Sequence, residues 1–135
     1  SNAKNNPGKE LQFTDLKKGD MNKVTQRQTR IIKNSESWSD LWTEMFPTEM
    51  IASAIDFNEN MVIAVFQGQK STGGYDIKIN KIVETNNKIF IYIIETSPGK
   101  NCIVTQALTQ PYHIVQLKYY NKPIEFIFEQ KISNC

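Results

Sequence analysis

The stretch that most constrains the fold is Met61-Val62-Ile63-Ala64-Val65-Phe66, an apolar run with no polar interruption. A run this short reads as a strand buried on both faces. It leads into Gln67-Gly68-Gln69-Lys70-Ser71-Thr72-Gly73-Gly74, which holds no large apolar residue. Tyr75-Asp76-Ile77-Lys78-Ile79-Asn80 then alternates apolar and polar side chains. That is the period of a strand with one wet face. Strand, glycine-rich loop and strand therefore form one unit. Ile82-Val83 ends the second strand, and Glu84 to Lys88 makes a hairpin connection. It leads to the other fully apolar run, Ile89-Phe90-Ile91-Tyr92-Ile93-Ile94, expected to be a central strand.

One helix is expected. Trp38, Leu41, Trp42, Met45 and Phe46 recur at the spacing of one helical face, and Pro47 ends the pattern. Ser35 is placed to cap the start, and Glu36 sits where the helix dipole favours negative charge. The tryptophan stripe reads as a lid packed on the core, although tryptophans are also common binding anchors.

The rest of the chain reads as strands and turns. Leu11, Phe13 and Leu16 are spaced for a short strand or docking segment, and Lys17-Lys18-Gly19-Asp20 for a turn. Val24 to Lys33 reads as an exposed edge strand. Ile55-Asp56-Phe57 reads as a brief strand, Ser97 to Asn101 as a loop and Ile103 to Leu108 as a strand broken by Gln110-Pro111. Tyr112 to Tyr119 resumes as a strand with His113, Val115 and Leu117 on one side. Ile124 to Phe128 is the last strand, followed by a polar tail. The expected architecture is mostly β (α+β): about seven antiparallel strands in a sandwich or partial barrel, with the amphipathic helix across one opening.

Length fits one domain, assigned to residues 11–135, preceded by a tag remnant and disordered lead over 1–10. The formal net charge of +2 is scattered rather than gathered on one element, which argues against nucleic acid as a partner. No stretch approaches the ~20 apolar residues of a membrane span. The two cysteines, Cys102 and Cys135, lie in no metal-ligand pattern. They read either as a disulfide or as one buried and one solvated thiol. The disulfide is favoured, because a cysteine in a polar tail has little packing reason to be there. A disulfide would place the protein outside the cytosol.

Gly68-x-x-x-Thr72-Gly73-Gly74-Tyr75, between an apolar and an alternating strand, resembles the PrcB C-terminal domain family. Ser97-Pro98-Gly99, the segment Thr109 to Val115 and the terminal Pro123-Ile124-Glu125-Phe126 fit the same pattern, over about residues 55–128. The resemblance implies a non-enzymatic extracytoplasmic protein, an accessory subunit that stabilises a subtilisin-like protease. The tag remnant Ser1-Asn2-Ala3 implies that the native N-terminus, and a native signal sequence with it, has been removed, and the sequence leaves oligomeric state open. Gly68, Ser71, Thr72, Gly73, Gly74 and Tyr75 become the candidate protein-binding residues. The residues themselves allow two roles. Glycines and hydroxyls on rigid strands can form a recognition tip. They can equally form only a sharp turn, with Tyr75 packed inward.

The same Thr72-Gly73-Gly74-Tyr75 is similar to the threonine-glycine loop of chagasin-type cysteine-protease inhibitors, which makes inhibition the alternative. The arginine-proline-aromatic segment of that pattern has no match here. Catalysis is not expected. His113 is the only histidine, no His/Asp/Glu spacing suggests a metal, and no cofactor motif is present. Gly68 to Gly73 mimics P-loop spacing but lacks the following Lys-Ser/Thr and the helix.

Overall fold

A computed structural model of the chain describes residues 8–49 and 51–135. The expectations for Ser1-Asn2-Ala3 and the rest of 1–7 lie outside the described residues. Among the described residues eight strands and one helix follow in order: β1 (Lys9–Leu11), β2 (Thr14–Gly19), β3 (Gln28–Ile32), α1 (Ser35–Met45), β4 (Asn60–Phe66), β5 (Asp76–Glu84), β6 (Ile89–Pro98), β7 (Tyr112–Lys118) and β8 (Ile124–Ser133). They form two four-stranded sheets, ordered β1-β5-β6-β8 and β2-β7-β4-β3. The fold is a sandwich with no closed barrel.

The apolar run of β4 lies at the centre of three layers. Met61, Ile63 and Val65 pack with Val115 and Leu117 of β7 against Ile77, Ile79, Ile82, Ile89, Ile91 and Ile93 of the facing sheet. Val62, Ala64 and Phe66 point the other way, with Ile114 and Tyr112, into Trp38, Leu41, Trp42 and Met45 of α1. Both faces of the β4 run are thus consumed, as its sequence demands. The helix covers the outer face of one sheet, not an opening of the sandwich as expected.

α1 ends at Phe46, whose N–H donates to the carbonyl of Trp42. Its N-cap is Asn34, one residue earlier than the expected Ser35. The Asn34 side chain accepts from the N–H of Ser37 at 2.8 Å, satisfying a donor the first turn leaves free.

Several expectations are corrected. Lys9 and Glu10 are already in β1, so strand structure begins before residue 11. Lys17, Lys18 and Gly19 pair with β7 instead of turning; lysines are well suited to such an edge strand. Ile55-Asp56-Phe57 is not a strand. Asp56 closes a turn by accepting from the N–H groups of Asn58 and Asn60. Ser97 and Pro98 extend β6. Ile103 to Leu108 is irregular. The polar tail continues β8 to Ser133.

The all-antiparallel expectation also fails at one pair, because β8 runs parallel to β6. Short connections favour antiparallel pairing only when both strands join one sheet. Here β7 crosses to the other sheet and the chain returns for β8, which then runs in the direction of β6. The disulfide Cys102–Cys135 is present and ties the loop after β6 to the chain after β8.

Two stability changes follow. Replacing both cysteines by serine should cost about 3–4 kcal/mol on the chain-entropy account for a loop of this length, read from urea unfolding with and without reductant. Asn34→Ala should cost about 1 kcal/mol, whereas Ser35→Ala should change stability by under about 0.5 kcal/mol.

Candidate functional site

The connections β2–β3 (20–27), β4–β5 (67–75) and β6–β7 (99–111) all leave the sandwich at one end. The pairings show this: Gly19 lies opposite Tyr112, Phe66 opposite Tyr112 and Gln28, and Asp76 opposite Thr96. The three loops are laced to one another through their backbones. Gln69 N–H donates to the Thr25 carbonyl at 2.9 Å, and Gln110 N–H to the Asp20 carbonyl at 2.7 Å. Lys70 and Thr109 exchange both backbone hydrogen bonds, and Gly73 N–H donates to the Thr105 carbonyl at 2.9 Å. The Thr109 hydroxyl donates to the Thr72 carbonyl at 2.8 Å, and Asn22 Nδ2 to the Gln110 carbonyl at 2.9 Å.

The glycine loop is therefore not a free tip. Gly68 and Gly73 are buried, Thr72 and Tyr75 half-buried, and Gln69, Ser71 and Gly74 exposed. Gly68 has φ +90° and Gly74 φ +91°, angles that side chains resist. A Cβ on Gly74 would also lie 2.9 Å from Pro98 Cβ and from Val104 Cγ1. Close backbone approach to the neighbouring loop is thus a second reason for glycine there. Thr72 Oγ1 donates to the Gly73 carbonyl, as expected of a turn hydroxyl. Lys70 Nζ lies 5.2 Å from the centre of the Tyr75 ring, within cation–π range.

Among its exposed residues this end carries three large apolar side chains, all outside the glycine loop. Ile103 is fully exposed, Leu108 58% exposed and Met21 68% exposed. Reading Ile103 to Leu108 as a strand hid the first two, because a strand at a sheet would have half-buried them. The signal against a strand lay in its flanks, Pro98-Gly99 before and Gln110-Pro111 after.

Beneath the loops the sandwich is closed by charge. Glu95 continues the inward-facing series Ile89, Ile91, Ile93, and its side chain is 3% exposed. Arg27 reaches over the end to bind both its oxygens, Nε at 3.0 Å and Nη2 at 2.8 Å. Gln130 Nε2 adds a third donor at 2.6 Å. Burial pushes the Glu95 carboxyl up, but the hydrogen bonds from Arg27 and Gln130 and the charges of Arg27 and Lys70 more than reverse this. The Arg27 guanidinium also lies 4.4 Å from the centre of the Phe128 ring. The loop end is thus charge-satisfied below, and above it Met21, Ile103 and Leu108 stand exposed among polar side chains.

Residues 61–118 match the family model described as PrcB C-terminal. The span runs from β4 through β7, so it includes the glycine loop and the 99–111 loop fastened to it. It is narrower than the 55–128 suggested by the sequence. No curated protein and no solved structure matches the chain significantly.

Within the matched segment, His113 is a strut between the sheets. Its Nδ1 accepts from the N–H of Ile79 at 2.9 Å, beside the bulge at Asn80 in β5. Its Nε2 lies 2.7 Å from Asp15 Oδ1, which fixes the tautomer with the proton on Nε2. Both ring nitrogens are committed. Among the described residues no group of three or more His, Cys, Asp or Glu could hold a metal ion.

Burial lowers the His113 pKa below its usual 6.5, and the opposing pull of Asp15 does not restore it. The folded state therefore favours the neutral ring. Unfolded chains take up a proton first as pH falls below about 6.5, so stability from this group is full above that pH and lost below it. His113→Gln should remove this component. The stability difference between wild type and variant, from urea titrations at pH 7.5 and 5, should shift against the wild type at the lower pH; a constant difference would contradict the assignment.

Proposed function

We propose that this is a non-catalytic, extracytoplasmic protein-binding domain whose contact surface is the three-loop end. The observation that carries the reading is a contradiction in solvation. Ile103, Leu108 and Met21 are held exposed on loops that hydrogen bonds make rigid. An apolar side chain held out of the core by a rigid frame gains nothing from folding. It gains on covering by a partner, at little ordering cost because the frame is already set. The PrcB C-terminal match makes an accessory role beside a protease the first form to test, with a subtilisin-like enzyme the first candidate. The disulfide is compatible with a location outside the cytosol. The commitment of both His113 nitrogens to structural bonds supports a role without bond-breaking.

The test compares wild type, the double variant Ile103→Asp/Leu108→Asp, and the opposite-end control Asn87→Asp. Thermal stability of all three should agree closely, because the altered side chains are exposed. Each is immobilised with its disulfide intact and challenged with subtilisin-like and papain-like proteases and with cell-envelope extract. The expected result is a partner retained by wild type and control and weakened about tenfold or more by the double variant. A bound protease should keep its activity; inhibition relieved by Tyr75→Ala would instead establish the inhibitor reading. Equal capture by all three forms would overturn the loop-end assignment.

A further inference from the structure

Four strands border the two sheets: β1 and β8 on one, β2 and β3 on the other. Three of them are short or irregular. β1 has three residues, β3 has five, and the register of β2 breaks between Asp15 and Lys17. Such devices discourage another chain from adding a strand. β8 is neither short nor irregular, although it carries Glu125, Glu129 and Lys131. It runs ten residues without proline, in unbroken register with β6.

The direction of its backbone groups follows from its two ends. Ile89 N–H donates to the Pro123 carbonyl, and Gly99 N–H to the Ser133 carbonyl. With a period of two, the odd residues of β8 turn their N–H and C=O groups toward β6. Ile124, Phe126, Phe128, Gln130 and Ile132 turn theirs outward. No other described strand pairs with this edge. The even side chains face the sandwich interior, where Ile124, Phe126 and Phe128 pack on the core while Ile132 is left 78% exposed. Glu125, Ile127, Glu129 and Lys131 occupy the outer face of the sheet.

We propose that β8 pairs antiparallel with β8 of a second copy of this chain, about a twofold axis at Phe128, making one continuous sheet across the dimer. Parity keeps the inner faces of both copies on one side, so allowed registers differ in steps that keep even residues opposite even ones. With Phe128 opposite its own copy, Glu125 of each chain faces Lys131 of the other. Ile124 faces Ile132 and gives that exposed side chain an apolar neighbour. The even pairs exchange backbone hydrogen bonds. The Glu125–Lys131 pairs fall at the non-hydrogen-bonded positions, where opposed side chains approach most closely. Shifting one allowed step either way sets Glu125 against Glu129, or Glu129 against its own copy. Like charges directly opposite disfavour both. A further step, with Glu129 opposite Lys131, is attractive but overlaps fewer residues. Lys88 Nζ already holds Glu125 Oε1 at 2.9 Å, which orients the carboxylate and leaves its second oxygen for the partner's lysine. A second copy satisfies the edge through sequence self-complementarity, which an arbitrary partner strand would not share.

Sedimentation equilibrium of the disulfide-intact protein over a wide concentration range tests this. Wild type should show a concentration-dependent dimer. Lys131→Glu should weaken it by about tenfold, because two like-charge oppositions replace two attractive ones. The swap Glu125→Lys/Lys131→Glu should restore it. Circular dichroism melts establish that the variants are folded, and Glu129→Gln provides a second folded variant that should leave the dimer intact or strengthen it. A protein monomeric at all concentrations overturns the proposal. So does a dimer that ignores Lys131→Glu, or one weakened by it and not rescued by the swap.

Discussion

The double-sided burial of β4 is the constraint on which the rest of the structure depends. A strand with Met61, Ile63 and Val65 on one face and Val62, Ala64 and Phe66 on the other has no face to leave in water. It can fold only between two apolar layers. The isoleucine-rich β5 and β6 supply one, and the tryptophan stripe of α1 supplies the other. A register slip of one residue would exchange the two sets of side chains between cores shaped for different partners. The pairing of β4 with β3 and β7 is therefore strongly specified, and with it the end at which the neighbouring loops emerge.

That end poses a second problem, which is solved by polar chemistry. β6 carries its inward series one step beyond Ile93 to Glu95, where the sandwich meets its loops. A carboxylate buried there without partners would be strongly destabilising. Arg27, delivered by the β2–β3 connection, and Gln130, delivered by parallel β8, satisfy it. A loop, a strand end and the tail are thus tied to one charge. The irregular 99–111 connection then needs no strand pairing of its own, because the glycine loop and the disulfide hold it.

The sequence reveals features governed by local period and conceals those governed by distant partners. β4, β5 and β6 are legible because their hydrophobic patterns are long and regular. α1 is legible from its stripe, while its cap falls to Asn34 over the adjacent Ser35, a choice set by chain entry. The parallel placement of β8 is illegible, since nothing within residues 124–133 reports which sheet β7 has joined. The glycine loop is legible as a turn. Its lacing to Thr105 and Thr109 depends on a loop distant in sequence. Ile103 and Leu108 mislead because apolar residues between turn signals suggest a strand only when a sheet edge is available to receive it.

The two proposed surfaces are geometrically compatible. β8 runs toward the loop end, with Ser133 beside the start of the 99–111 connection and Ile124 at the opposite end. Antiparallel pairing about Phe128 therefore points the loop ends of two copies in opposite directions. A dimer built this way would carry two loop ends joined by one continuous sheet. Its spacing is set by strand geometry, so the gain from engaging two partner sites depends on whether those sites are separated by a matching distance.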